Sequence, residues 1–168
     1  QAYSQCYGMG FLVLRLSNVY GMYDSSDRLI PLFIEQAAKR QPLFVYGKDK
    51  ILDFTYIDDC VNGFMQGIQY FDTAKNDTYN IASGEGTPIV KVAHLIGKYM
   101  GNNPSVRIKE NRTGEVVRFI ANISKARERL SYNPHTDIEE GIKKTVQWYR
   151  IYGGKIPVMN NEEAAANT

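Results

Sequence analysis

Short apolar runs alternate with helix-periodic segments along almost the whole chain, and that alternation constrains the fold more than any other feature. Phe11-Leu12-Val13-Leu14-Arg15-Leu16 is of strand length, carries one charge and ends at Asn18-Val19-Tyr20-Gly21. Such a run suits a strand buried on both faces of a parallel sheet. From Arg28 to Arg40, Leu29, Ile30, Phe33, Ile34 and Ala37 share one side at helical spacing. Pro31 falls in the first turn of that helix, where its missing N–H costs little. Leu43–Gly47 and Ile51–Ile57 read as short strands, with Gly47-Lys48-Asp49-Lys50 as the turn. Asp58 or Asp59 is placed to cap the next helix, in which Val61, Phe64, Met65, Ile68 and Phe71 share a face. Gly63 and Gly67 lie one turn apart in it. Glycine is unfavourable in a helix interior, so close approach of another element is their expected purpose.

The pattern continues to the C-terminal part. Thr78–Ala82 reads as a strand ending in Ser83-Gly84-Glu85-Gly86. Thr87 and Pro88 are expected to open a helix with Ile89, Val92, Ala93, Ile96, Tyr99 and Met100 as its buried stripe and Gly101 as its stop. Ser105–Lys109 and Val116–Ile120 are strand candidates, and Ser124 opens a short helix that stops before Asn133-Pro134. Thr136-Asp137-Ile138-Glu139 has the form of a capping box, ahead of a helix whose apolar face is Ile138, Ile142, Val146 and Tyr149. From Pro157 onward the composition predicts a frayed tail. The whole is expected to be an α/β structure, one unit over residues 1–156 and a tail over 157–168.

Composition removes several classes of function. Twenty Lys and Arg against eighteen Asp and Glu leave a net charge of +2, without the basic excess of a nucleic-acid binder. No apolar run approaches the roughly 18 residues of a membrane helix. Cys6 and Cys60, even with His94 and His135, have no metal-ligand spacing, so no metal site is expected. These features predict a soluble, cytoplasmic protein. Twelve Tyr against seven Phe hint at a half-polar cleft. The chain opens Gln1-Ala2-Tyr3, without Met, and runs almost at once into a strand, as a piece of a longer or processed chain would. It contains neither G-x-G-x-x-G nor G-x-x-x-x-G-K-[ST], and no nucleophile–base constellation is visible. Gly84-Glu85-Gly86, at a strand-to-helix turn, is a weak candidate for cradling an anion. The residues by themselves lead no further than an α/β unit without visible catalytic machinery.

A collinear series of short blocks goes further. Leu14-Arg15-Leu16-Ser17-Asn18-Val19-Tyr20-Gly21, Pro42-Leu43-Phe44-Val45-Tyr46-Gly47, Asp53-Phe54-Thr55-Tyr56-Ile57-Asp58-Asp59, Tyr79-Asn80-Ile81-Ala82-Ser83-Gly84 and Arg112-Thr113-Gly114-Glu115 follow one another in order. Together they resemble the C-terminal half of an extended short-chain dehydrogenase/reductase, in the NAD-dependent sugar-nucleotide epimerase/dehydratase family. Members like UDP-glucose 4-epimerase look closest. The resemblance implies the last strands of an extended Rossmann-type sheet and a small α/β substrate-binding subdomain. It also implies that the dinucleotide loop and the catalytic Tyr-x-x-x-Lys pair precede Gln1, so no catalytic residue is expected here. NAD belongs to the complete protein, and this chain is expected to retain none.

Carried over one at a time, Asn18 is expected to hydrogen-bond the phosphate or sugar of a nucleotide-sugar substrate, with Leu16 and Val19 bordering the nicotinamide. Arg112 is expected to grip the diphosphate, because a guanidinium fork matches phosphate oxygens. Val45 and Phe54 would sandwich the nucleoside, with Leu29 at its base edge. The competing readings are a turn residue for Asn18, an exposed loop residue for Arg112, and plain core packing for Val45, Phe54 and Leu29. Arg15 is expected to pair with a carboxylate, Asp53 or Asp58. Two departures from the family pattern stand out. Leu52 replaces an arginine that contacts the diphosphate in many relatives, and Lys50, two residues earlier on the same strand face, is the candidate to take over its charge. Asn122 stands where an aspartate is common. A 4,6-dehydratase or decarboxylase, or a noncatalytic sugar-nucleotide-binding module, are the alternative readings. A homodimer of the complete protein is compatible with the family, whereas nucleic acid and membrane partners are not expected.

Overall fold

The computed structural model describes residues 2–24 and 26–153. The elements in chain order are α1 (Ala2–Tyr7), β1 (Leu12–Leu16), β2 (Val19–Tyr20), α2 (Leu29–Ala38), β3 (Leu43–Tyr46), β4 (Ile51–Asp53), β5 (Thr55–Tyr56), α3 (Ile57–Gln69), α4 (Phe71–Ala74), β6 (Asp77–Ile81), β7 (Gly86–Pro88), α5 (Ile89–Met100), β8 (Val106–Lys109), β9 (Arg118–Phe119), α6 (Ser124–Leu130) and α7 (Ile138–Tyr152). The strands form parallel pairs β1–β6, β2–β5 and β3–β8, and a three-stranded sheet in which β4 runs antiparallel to β7 and parallel to β9. The predicted 157–168 tail, and the end of the predicted 1–156 unit, lie outside the described residues. No described helix is long and apolar enough to cross a membrane.

Two apolar cores result. The larger joins α2, β3, α5 and α7 through Ile30, Phe33, Ile34, Leu43, Val45, Val92, Ile96, Ile142 and Val146. The smaller gathers Tyr79, Ile81, Ile123, Ala126, Leu130 and Tyr132 around β6 and α6. Helices α2, α5 and α7 bury the faces that their periodicity predicts, and Gly101, at φ 72°, ends α5 in the left-handed conformation.

Several local expectations are corrected by long-range packing. β1 is not buried on both faces: Val13, Arg15 and Leu16 are exposed, and the strand pairs only with β6 among the described residues. β3 and β4 form no hairpin with each other, since β3 pairs with β8 and β4 with β7 and β9. The predicted Ile51–Ile57 strand breaks at Phe54, and Ile57 already opens α3. Likewise the Val116–Ile120 candidate shortens to β9. Thr87 lies within β7, so Pro88 rather than Thr87 is the N-cap of α5. At α7 the cap shifts by one residue. Asp137 accepts from Glu140 N at 2.8 Å, while Glu139 turns to Lys98 and Tyr99.

The largest correction concerns α3. Asp58 and Asp59 sit in its first turn behind Tyr56, the N-cap. Asp59 instead points across the chain, accepting from His135 N at 3.1 Å and Thr136 N at 3.0 Å. The face that α3 buries is Asp59, Cys60, Gly63 and Gly67, whereas Val61, Phe64, Met65 and Ile68 are 45–70% exposed. Gly63 explains the choice. A Cβ there would stand 2.5 Å from Ile81 Cγ2, so only glycine lets the helix lie this close to β6. An apolar stripe of this kind on a surface drives association. The isolated chain is therefore expected to self-associate reversibly in sedimentation equilibrium. Met65→Glu with Ile68→Lys is expected to return it to monomer, and unchanged association would show that the stripe is not responsible.

Candidate functional site

The chain's key polar anchor is Asp53, at the end of β4. Its carboxylate is fully enclosed and accepts from Ser83 N (3.0 Å), Ser83 Oγ (2.6 Å), Gly84 N (3.0 Å) and Ala121 N (3.2 Å). Of the Gly84-Glu85-Gly86 turn only Gly84, with Ser83 before it, donates to an anion, and that anion is a side chain of the same molecule. Gly84, at φ 75°, adopts a conformation that L side chains rarely take, and it aims its N–H at Asp53. Asp53 is therefore satisfied without Arg15, which is exposed. None of the ion pairs among the described residues joins Arg15 to Asp53 or Asp58.

The carbonyl of Asp53 in turn accepts from Ser17 Oγ at 2.9 Å and Asn18 Nδ2 at 2.8 Å. Asn18 has φ 21°, at the edge of the left-handed region, where asparagine is among the few side chains tolerated. The bond to Asp53 fixes its amide at the mouth of a cleft of about 490 Å³, lined by Leu16, Asn18, Leu29, Lys50, Leu52 and Phe119 among others. A larger cavity, about 610 Å³, lies between the C-terminal ends of α2, α5 and α7 and holds none of the expected site residues.

Leu16, Asn18 and Leu29 thus share one cleft, with Leu52 and Lys50 beside them. Val19 lines an adjoining crevice together with Leu29 and Phe54. Phe54 is mostly enclosed and meets the Tyr20 ring edge-on, with 6.4 Å between centroids. Val45 is different. It has no exposed surface, and its neighbours in the core leave it nothing to offer a nucleoside. Strand alternation gives the reason: Leu43 and Val45 point into the core, so Phe44 and Tyr46 occupy the opposite side of β3. There the Arg112 guanidinium lies 3.9 Å from the Tyr46 ring centre and Lys109 Nζ lies 4.3 Å from that of Phe44. The Arg112 guanidinium, then the Lys109 ammonium, hold the Tyr46 phenol below its ordinary value.

Arg112 does not line the cleft itself. It reaches it through Glu115, 3.6 Å away, whose carboxylate does line it and is paired with Lys50. That pairing holds Glu115 below the usual carboxylate range. Among the described residues no three His, Cys, Asp or Glu side chains converge on a metal position. The arrangement is an open cleft with an apolar wall, an amide, an ion pair and, next to it, an aromatic ring covered by a guanidinium.

The family model described as GDP-mannose 4,6 dehydratase matches residues 1–145. The chain belongs to this epimerase/dehydratase family. It is 31% identical to UDP-glucuronate 4-epimerase 5 of Arabidopsis thaliana, over 88% of this chain and 37% of that one. Among solved structures it is similar to the UDP-glucose 4-epimerase of Thermotoga maritima with UDP-glucose, at 28% identity and a TM-score of 0.80 over 89% of this chain and 49% of that one. It is also similar to the UDP-glucuronic acid 4-epimerase of Bacillus cereus in complex with UDP-glucuronic acid and NAD, at 25% identity and a TM-score of 0.81, over 89% and 48%. Its α/β architecture is the Rossmann-like fold of these enzymes, and it spans about half the length of the curated relatives it matches.

Sequence reasoning missed Phe44 and Tyr46 as the half-buried aromatic pair on the outer side of β3 and Glu115 as the link between Arg112 and Lys50. The strand parity of Leu43-Phe44-Val45-Tyr46 was the available signal for the first. For the second there was none, because Lys50 and Glu115 are 65 residues apart. The family departure at Asn122 has a local use: its Oδ1 accepts from Ser124 N at 2.9 Å, at the start of α6.

Proposed function

We propose that this chain supplies the substrate-binding part of an NAD-dependent nucleotide-sugar epimerase of the UDP-glucose 4-epimerase type. The observation that carries the reading is the convergence of Leu16, Asn18 and Leu29 on one cleft, linked through Glu115 to the Arg112–Tyr46 stack. A diphosphate would meet Arg112, whose charge persists at any working pH, and Asn18 would hold a sugar or phosphate oxygen with the amide hydrogen that Asp53 leaves free. Tyr46 and Phe44, rather than the enclosed Val45, are the aromatic side chains of β3 on the Arg112 side, and a nucleoside would share their rings with the Arg112 and Lys109 cations. A nucleotide-sugar 4,6-dehydratase would use the same binding groups, and the family membership supports either chemistry.

NAD, when bound to the complete protein, supplies hydride transfer. The fit of the described residues to it is partial. Leu16, 48% exposed at the end of β1, and Val19 offer an apolar border of the kind a nicotinamide ring needs. No glycine-rich dinucleotide loop is present in the sequence. The exposed edge and residues of β1, and the apolar stripe of α3, are the surfaces on which a dinucleotide-binding half would pack.

Calorimetry of the 168-residue chain with UDP-glucose and UDP-glucuronic acid tests the reading. Saturable binding is expected, with no epimerisation and no NAD released on heat denaturation. Near-stoichiometric NAD or measurable turnover would overturn the assignment of the chain as a binding part alone. Absence of any UDP-sugar binding would overturn the site.

A further inference from the structure

Lys50 is an ammonium enclosed by protein, 6% exposed, in a cleft whose neighbouring position 52 is an apolar leucine. Its backbone is fixed from both sides: Lys50 N donates to Gly47 O at 3.3 Å, and Ile89 N donates to Lys50 O at 3.0 Å. Glu115, its ion-pair partner, is held quite differently. It belongs to the exposed connection between β8 and β9, its side chain is 34% exposed, and its own backbone N–H reaches only as far as Arg112 O, at 3.2 Å. A fixed, enclosed cation is thus neutralised by an anion carried on a surface loop.

We propose that Lys50 is the second diphosphate-binding cation of this cleft, and that Glu115 occupies the phosphate's place in the ligand-free chain and is displaced when a nucleoside diphosphate enters. This rests on the sugar-nucleotide reading above. The physical case is a matter of continuity of charge. An enclosed ammonium is costly without a counter-charge. Glu115 provides one before binding, and a diphosphate oxygen provides one after, so Lys50 is paired in both states. The outgoing carboxylate needs no new protein partner, because it starts partly in water and returns to it. The incoming group carries more negative charge than the carboxylate it replaces, and Arg112, 3.6 Å from Glu115, stands ready to share it. The exchange also accounts for Leu52. With a lysine two residues earlier, just ahead of β4 and lining the same cleft, the cleft needs no cation at position 52.

UDP and uridine, titrated calorimetrically into the 168-residue chain and its variants, test the exchange. Glu115→Gln keeps an acceptor for the ammonium but removes the competing charge, and it is expected to tighten UDP binding about threefold to tenfold. Lys50→Met, which keeps the length of the stem, is expected to weaken UDP binding about tenfold. The double variant is expected to behave as Lys50→Met alone, and uridine, which lacks the diphosphate, to respond to none of them. A second readout is the Glu115 side-chain carboxyl followed by NMR. Depressed in the free chain, its titration is expected to move back up toward the ordinary carboxylate range when UDP is bound. Weaker UDP binding by Glu115→Gln would make Glu115 a ligand contact and overturn the exchange. Unchanged UDP affinity in Lys50→Met would make the lysine structural, with the same result. If the unaltered chain binds no UDP at all, the sugar-nucleotide reading fails and takes the exchange with it.

Discussion

Asp53→Ala is expected to lower the unfolding free energy by about 3–5 kcal/mol, the largest effect of any single polar substitution in this chain. The carboxylate receives four hydrogen bonds from two separate segments, and it is fully enclosed. Alanine removes the acceptor and leaves the N–H groups of Ser83, Gly84 and Ala121 without it. Each stranded buried donor costs about 1–3 kcal/mol. Asp53→Asn recovers little, because its amide would point N–H groups at N–H groups. Ser17→Ala is the contrast. The Asp53 carbonyl keeps the Asn18 bond, and the expected loss is about 1 kcal/mol. Urea unfolding followed through Trp148, the sole tryptophan, measures all three. An Asp53→Ala loss below about 1 kcal/mol would show that the turn at 83–84 and the 121 segment stay in place without their common acceptor.

Arg112→Ala is expected to weaken UDP-sugar binding by about tenfold to a hundredfold, the 1.5–3 kcal/mol of a charge-assisted contact. Stability should hardly change, since the side chain is 60% exposed and its ion pair with Glu115 spans 3.6 Å. Arg112→Lys separates charge from shape. It keeps the cation but loses the planar group lying 3.9 Å over Tyr46, so intermediate binding is the expected result. Calorimetry at two salt concentrations adds a check, because an exposed charge contact weakens as ionic strength rises. Unchanged affinity in Arg112→Ala, with the fold intact, would remove this arginine from the site.

What the sequence made legible was local. α2, α5 and α7 emerge from periodicity and end signals because a helix's buried stripe and its stop are written in consecutive residues. Gly101 is the plainest case. α3 shows the boundary of that logic. Val61, Phe64, Met65 and Ile68 do share a face, as their spacing says, yet the helix packs on its glycine face, because Ile81 and Tyr132 need the room that Gly63 leaves. Periodicity tells which residues lie together, not which side is covered. Asp59 makes the same point with polarity. A carboxylate at the start of a helix looks like its cap, but the donors at 135 and 136 come from 76 and 77 residues away.

The candidate site divides along the same line. Leu16 and Asn18 were reached through the Leu14–Gly21 block, and they line one cleft with Leu29. Val45 lies in the core by a single residue of strand parity, which depends on where the core of α2 and α5 sits relative to β3. The Lys50–Glu115 pair and the wrapping of residues 83–84 around Asp53 exist only in three dimensions. Position 52 was legible as a departure and Lys50 as the candidate to take over its charge, while the pairing of Lys50 with Glu115 was not.

The central claim is that the cleft beside Asn18 and the Arg112–Tyr46 stack form one nucleotide-sugar site. An NMR titration of the isotope-labelled 168-residue chain with UDP-glucose tests it most directly. The account predicts saturable shifts in the backbone amides of residues 16–19, 44–47, 50–52 and 112–119, with the amides around the C-terminal ends of α2, α5 and α7 unmoved. Shifts confined to the larger cavity between those helix ends, or no saturable shift at all, would contradict it.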